Sequence, residues 1–217
     1  MNRREFLKIA GTAAATLAVR EGAGALIKEG MKKGKKAVAI NGSPNKEGNT
    51  HYALSLIADE FEKQDVPFSI LHIGAERIKG CVACGVCKNT GNCAFATDAE
   101  RSVIEQMKNA DGIILASPVY FGGIAGTMKQ FLDKAFYSAG DTFAHKIGAS
   151  VVTEAHAGGS VTTESLNQYL LIRQINVIAS TYWNVVKGHT KEAIRADEEG
   201  ERTMRNLAKN MIQELKR

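Results

Sequence analysis

Short apolar runs alternate with amphipathic segments along the chain from residue 37 onward. The apolar runs have the length of buried strands, whereas the amphipathic segments repeat their apolar residues with helical spacing. Strands that alternate with helices predict a parallel sheet with helices on both faces, in three α/β/α layers. Five strands with this spacing fit a doubly wound sheet of order 2-1-3-4-5, and 217 residues suit one such domain.

The individual elements follow from these patterns and from the turn residues between them. Strands are predicted at residues 37–40, 66–73, 112–116 and 147–153, with a fifth inside 176–186. Helices are predicted at residues 51–64, 98–109 and 124–138, then from the glycine pair 158–159 to about 174, and at the C-terminus. Tyr182 and Trp183 fall in the fifth predicted strand, where we expect large aromatic side chains to belong to the core.

The positive charge of the chain is concentrated at its N-terminus. Residues 1–36 contain nine Lys or Arg and three Glu, which gives them a net charge of +6. The whole chain carries +5, so residues 37–217 carry −1. A nucleic-acid-binding domain would keep a basic surface in its folded part. The charge distribution therefore argues against a nucleic-acid partner.

Residues 1–25 have the three-part layout of a bacterial export signal. Arg3 and Arg4 precede an apolar stretch of small residues, and an A-x-A cleavage pattern ends at Ala25. The run RREFLK resembles a twin-arginine translocation signal. The apolar stretch is about half of the ~20 residues that a bilayer-spanning helix needs, so we expect no stable membrane span.

This layout predicts export to the periplasm or the cell surface. Residues 26–36 then form a basic linker to a folded domain at residues 37–217. The alternative is an ordinary amphipathic N-terminal helix on a cytoplasmic protein.

Polar, glycine-containing loops follow the first, third and fourth predicted strands. In a doubly wound sheet these loops meet at the carboxyl edge, where the strand order reverses and ligands bind. The first loop, residues 42–50, offers hydroxyls, an amide and backbone N–H groups at a helix N-terminus, which favours a phosphate. Its sequence matches neither G-x-G-x-x-G nor G-x-x-x-x-G-K-[ST], so the Rossmann fingerprint and the Walker P-loop fit poorly.

The other two loops suit the flat part of the same ligand. Residues 117–123 carry two aromatic side chains before a glycine pair, and such a segment can lie along a planar ring. Residues 153–159 end in two glycines, which let the backbone approach a ligand closely. His156 in this third loop could donate a hydrogen bond to the ligand or face solvent.

All four cysteines lie within thirteen residues, in a predicted loop at 80–97 with the spacing C-x2-C-x2-C-x5-C. Four thiolates on one short loop can surround a [4Fe–4S] cluster. Zinc also takes four cysteines, disulfides form in exported proteins, and neighbouring C-x2-C pairs can act as redox thiols. The predicted metal ligands are Cys81, Cys84, Cys87 and Cys93.

The segments NGSPNKEGNT and SPVYFGGIAGTMKQFLDK resemble the NADPH-dependent FMN reductase and iron–sulfur flavoprotein family, over about residues 37–190. The resemblance implies a flavodoxin-like fold with bound FMN. It implies that the FMN phosphate is held by Ser43, Asn45, Asn49 and Thr50. It implies that the isoalloxazine ring lies against Pro118, Val119, Tyr120, Phe121 and Gly122, with Gly158 and Gly159 near its far edge. Lys129 and Asp133 match a Lys and an Asp common in the family, and we interpret them as structural.

The resemblance also implies an activity and an assembly. The implied activity is an FMN-dependent NAD(P)H oxidoreductase that passes electrons through a cluster to a small-molecule or protein acceptor. FMN carries the chemistry, so no catalytic side chain is assigned. A homodimer or homotetramer is implied. The alternatives are a non-enzymatic flavodoxin-like electron carrier and a cluster-free quinone or flavin reductase. The family often has Asp-Asp-Met after the last cysteine, whereas this chain has AFATDA at residues 94–99.

Overall fold

The computed structural model describes residues 34–217, in which Lys35–Arg217 form one compact unit. The predicted export signal and the linker up to residue 33 lie outside the described residues. The strands are Ala37–Asn41 (β1), Phe68–His72 (β2), Gly112–Tyr120 (β3), Gly123–Ile124 (β4), Ile147–Glu154 (β5), Asn176–Val177 (β6) and Val185–Lys187 (β7). The helices are Asn49–Lys63 (α1), Cys87–Thr90 (α2), Asp98–Lys108 (α3), Gly126–Ser138 (α4), Gly159–Ile172 (α5), Lys191–Arg195 (α6) and Glu198–Lys216 (α7).

The sheet is parallel along its main path, in the order β2-β1-β3-β5-β6. In its centre Ala39 of β1 lies beside Ile70 of β2 and Ile114 of β3. Because β5 is the fourth long strand of the chain, this order confirms the predicted doubly wound, flavodoxin-like arrangement. Alternate residues of each strand point to opposite faces of the sheet.

That alternation builds two apolar layers. Val38 and Ile40 of β1 pack in the layer that contains side chains of α3, α4 and α5. Ala37 and Ala39 of the same strand pack in the opposite layer, with side chains of α1 and α7. The helices therefore cover both faces, as predicted.

The fifth predicted strand is divided into two short pieces. β6 pairs with the beginning of β5, and β7 pairs with its end, where Val152 lies beside Val185. Between them the chain leaves the sheet, so Tyr182 and Trp183 are 52% and 60% exposed. Their assignment to a core strand was wrong, because aromatic content does not show where an edge strand is interrupted.

β3 also extends beyond its predicted end. It continues through Ser117 and Pro118 to Tyr120, and β4 then folds back antiparallel to it. The Ser117 hydroxyl accepts a hydrogen bond from the Ala125 N–H at 3.0 Å, which closes this hairpin. Within residues 34–217 no helix has the length and apolar character needed to cross a membrane.

Lys129 and Asp133 form an ion pair along α4, with Nζ to Oδ1 at 2.7 Å. The Tyr169 hydroxyl of α5 donates to the same Asp133 oxygen at 2.5 Å, so the carboxylate joins two helices. Burial, followed by this hydrogen bond, raises the pKa of Tyr169 from 10.0 to about 12.

We expect the contribution of Tyr169 to the free energy of unfolding to vary with pH in the alkaline range. A raised pKa means that the folded state favours the neutral phenol, so the contribution is complete below pH 10.0 and is lost as pH rises through about 12. The free energy of unfolding of the wild type minus that of Tyr169→Phe should therefore shrink over this range. The same comparison in an Asp133→Asn background should show a smaller pH dependence, and a difference that is constant with pH would contradict the assignment.

Candidate functional site

A pocket of about 650 Å³ opens at the carboxyl edge of the sheet. It is formed by the predicted segments at residues 42–50, 117–123 and 153–159, and by a fourth loop after β7. The second and third of these segments begin inside β3 and β5, which extend further than predicted. The lining residues among the predicted FMN contacts are Ser43, Asn45, Asn49, Thr50, Pro118, Val119 and Tyr120. The lining residues that sequence reasoning missed include Lys46, Thr153, Glu154, Gly188, His189, Thr190 and Lys191.

One end of this pocket is the N-terminus of α1. No side chain caps this helix at Gly48, and its first internal hydrogen bond runs from the Tyr52 N–H to the Gly48 carbonyl. The N–H groups of the first turn therefore have no acceptor within the helix. Such N–H groups, together with the helix dipole, favour an anion, so this end of the pocket fits the phosphate of FMN.

The loop of residues 42–50, called the phosphate loop below, is held by hydrogen bonds at its start and by a contact from β2. Asn41 Oδ1 accepts from the Ser43 N–H at 3.0 Å, and Ser43 Oγ accepts from the Asn45 N–H at 3.2 Å. A ring nitrogen of His72 lies 2.8 Å from the Ser43 carbonyl oxygen. Gly74 approaches the same carbonyl so closely that a Cβ there would lie 1.9 Å from the oxygen. The loop backbone is therefore held by contacts within the protein itself.

Two hydrogen bonds connect the phosphate loop to other segments. The buried hydroxyls of Thr50, in the first turn of α1, and of Thr153, near the end of β5, are 2.9 Å apart, which joins the end of the phosphate loop to β5. Asn49 Nδ2 donates to the Gly188 carbonyl at 2.8 Å, so its amide braces the fourth loop. The fourth loop gives little signal in the sequence, because its place depends on the pairing of β7 with β5.

The end of β3 supplies the apolar wall of the pocket. Pro118, Val119 and Tyr120 line it, whereas Phe121 and Gly122 form the hairpin turn, with φ of 50° and 75°. The Phe121 side chain is fully exposed. Gly158, with φ of 98°, packs against this turn, since a Cβ there would lie 3.0 Å from Gly122 Cα.

Gly158 and Gly159 line a neighbouring pocket of about 260 Å³ rather than the main one. Glu154 borders both pockets and is largely buried. Its Oε2 accepts from the Gly159 N–H at 2.6 Å, which occupies the first amide of α5. His156 also belongs to the neighbouring pocket, and its ring stacks on that of His189 at 6.4 Å between centroids.

All four cysteines line a third, small pocket. Cys81 and Cys84 are exposed, Cys87 and Cys93 are partly buried, and none forms a disulfide. Positive φ at Ala83, Gly85 and Gly91 lets the loop curl around this pocket. Four thiols around one pocket are the kind of donor groups that hold an iron–sulfur cluster. In the described part of the chain, however, no three metal-ligating side chains are arranged to hold an ion.

The parallel sheet and the anion-binding loop at its carboxyl edge define a flavodoxin-like α/β protein. The fold is similar to that of a flavodoxin from the domain Archaea, with TM-score 0.55 and 15% identity over 84% of this chain and 99% of that one. It is also similar to the NAD(P)H:(acceptor) oxidoreductase FerB of Paracoccus denitrificans, with TM-score 0.61 and 16% identity over 82% of this chain and 98% of that one. At such identities the likeness shows the fold.

The family model described as NADPH-dependent FMN reductase matches residues 35–190, and the chain belongs to this family. An iron–sulfur flavoprotein of Methanocaldococcus jannaschii is 28% identical, covering 83% of this chain and 97% of that protein. An iron–sulfur flavoprotein of Archaeoglobus fulgidus is 34% identical over 63% of this chain and 68% of that protein. An NADPH azoreductase of Bacillus sp. is 30% identical over 57% of this chain and 60% of that protein. These findings confirm the predicted FMN-dependent NAD(P)H oxidoreductase.

Proposed function

We propose that this chain is an iron–sulfur flavoprotein. In this proposal FMN occupies the main pocket, and Cys81, Cys84, Cys87 and Cys93 hold a [4Fe–4S] cluster. The observation that carries the proposal is that all four cysteines line one pocket of a chain whose sheet edge also forms an anion-binding pocket. The names of the iron–sulfur relatives support it.

Different residues of the main pocket bind different parts of FMN. The first-turn amides of α1, with Ser43, Asn45, Asn49 and Thr50, bind the phosphate. Pro118, Val119 and Tyr120 orient the ring system, and Phe121 and Gly122 form the turn that holds this wall in place. When bound, FMN supplies hydride acceptance from NAD(P)H and release of electrons to an acceptor. Gly158 positions the turn of residues 121–122 through close backbone packing and contributes to ring binding indirectly, whereas Gly159 packs against Glu154 and Val185.

A cluster-free reductase is the second candidate function. The similarity to an NADPH azoreductase supports it. The exposed thiols of Cys81 and Cys84 would then be free redox groups. The unidentified acceptor would be a small aromatic molecule in this case.

Two further properties belong to the proposal. Export is supported by the twin-arginine-like layout of residues 1–25. Assembly into a homodimer or homotetramer is supported by the family resemblance and by the exposed Tyr120 and Phe121 side chains beside the main pocket. Fractionation of the source cells and light scattering of the purified chain test these two properties.

The test of the central proposal is a visible spectrum, with iron and sulfide assays, on the full chain purified without oxygen. We expect flavin bands, a broad cluster shoulder and about four irons per chain. Cys84→Ser should lose most of the iron and keep the flavin, so that flavin content serves as the folding control. Flavin without iron in the wild type would favour the cluster-free reductase. Absence of flavin after addition of FMN would overturn both candidates.

A further inference from the structure

A lysine and a glutamate form a fully buried ion pair beneath the cysteine loop. The side chains of Lys134 in α4 and Glu100 in α3 are 0% and 1% exposed, with Nζ and Oε1 2.5 Å apart. Burial of two charges carries a large desolvation penalty, and an apolar pair of similar size is often at least as stable. The pair therefore calls for a reason other than stability alone.

Both partners are bonded to the segment that directly follows Cys93. Lys134 Nζ donates to the Phe95 carbonyl at 3.4 Å. Glu100 Oε2 accepts from the Thr97 N–H at 2.9 Å, and Thr97 Oγ1 accepts from the Glu100 N–H at 3.2 Å, which is a capping box. The ion pair thus anchors the C-terminal end of the cysteine loop to two helices.

The two charged groups of the ion pair lie at different positions relative to the cysteine thiols. Lys134 lines the cysteine pocket together with all four cysteines, and it is the one charged side chain among the residues that line it. Glu100 does not line this pocket. The cysteine pocket is therefore bordered by a cation whose counter-ion is held on the far side. A fixed cation at a site of this kind stabilises negative charge.

We propose that Lys134 is a positioning residue of the cysteine site, which anchors the loop and places a positive charge at the border of the pocket that the cysteines line, where it acts on any cluster they hold. Glu100 fixes the ammonium in place and moderates its charge. The part of the proposal that concerns a cluster rests on the proposed function. Charge near an iron–sulfur cluster is one of the features that set its reduction potential, and a cation favours the more negative, reduced state.

The first experiment measures the midpoint potential of the cluster in the full chain, with dithionite as reductant. Lys134→Met should lower the potential by about 60 mV, a tenfold change in a one-electron equilibrium. Glu100→Gln should raise it, and Lys134→Arg should stay near the wild type because the charge is kept. Lys129→Met, on the same helix and outside the cysteine pocket, is the matched control and should leave the potential unchanged.

The opposite signs separate a charge effect from a merely structural one. If the pair only held the loop, Lys134→Met and Glu100→Gln would shift the potential in the same direction, and arginine would not rescue it. Either result would overturn the proposal. Should Lys134→Met fail to fold, the double variant Lys134→Met/Glu100→Gln replaces it and should still lower the potential, because the removed cation borders the pocket.

The second experiment does not need a cluster. In a full chain without iron, the cysteines react with an anionic aromatic disulfide and with a neutral one, and the ratio of the two rate constants reports the local electrostatic potential. We expect Lys134→Met to lower this ratio on the order of tenfold relative to the wild type, and Glu100→Gln to raise it. If the wild-type protein contains no iron, the cluster proposal alone is overturned. If the ratio of rate constants is the same in Lys134→Met as in the wild type, the proposal for Lys134 is overturned.

Discussion

Replacement of Gly74 by alanine should weaken FMN binding by about tenfold, which corresponds to about 1.4 kcal/mol. The added Cβ would lie 1.9 Å from the Ser43 carbonyl oxygen and 2.3 Å from its carbon, and neither atom can rotate away. The phosphate loop must therefore shift, and the hydrogen bond between His72 and the Ser43 carbonyl is strained with it. Overpacking of this kind costs about 1–3 kcal/mol in stability as well.

The measurement is a fluorescence titration of the flavin-free full chain with FMN, next to a thermal unfolding curve of the same sample. Gly126→Ala is the matched control, because a Cβ at that position in the first turn of α4 meets nothing within 4 Å. The control should bind FMN like the wild type. Equal FMN affinity of Gly74→Ala and the wild type would show that the phosphate does not depend on the loop of residues 42–50.

Loss of one partner of the buried ion pair should produce the largest change in stability. Lys134→Met leaves the Glu100 carboxylate uncompensated in a dry environment, so the free energy of unfolding should fall by about 3–5 kcal/mol. The double variant Lys134→Met/Glu100→Gln removes both charges and should recover most of that loss. Urea unfolding of the flavin-loaded chains measures both values.

An exposed pair provides the comparison for this result. Lys35 and Asp111 lie 3.6 Å apart with side chains that are largely accessible to water. Pairs of this kind contribute about 0–1 kcal/mol, so Lys35→Met should change stability little. A double variant as unstable as Lys134→Met would show that the loss came from packing and not from the unpaired charge.

The sequence alone determined the features that depend on local pattern. The alternation of strands and helices predicts a doubly wound parallel sheet, and the order 2-1-3-4-5 that fits it is the order of the structure. The loop of residues 42–50 was identified by its turn residues and by the helix that follows it. The cysteines come together at one pocket because they are close along the chain and are separated by residues that permit tight turns.

Features that depend on pairing between distant parts of the chain became visible in the three-dimensional packing alone. The loop of residues 188–191 reaches the main pocket because β7 pairs with the end of β5, which no local pattern records. The interruption between β6 and β7 exposes Trp183, although its composition suits a core strand. Lys134 lies 39 residues from Phe95 in sequence and looks like one more charge on an amphipathic helix. Its burial beside the cysteines follows from the packing of α3 and α4 on one face of the sheet. The periodicity of a helix shows which of its sides is apolar, whereas the packing determines which residues that side contacts.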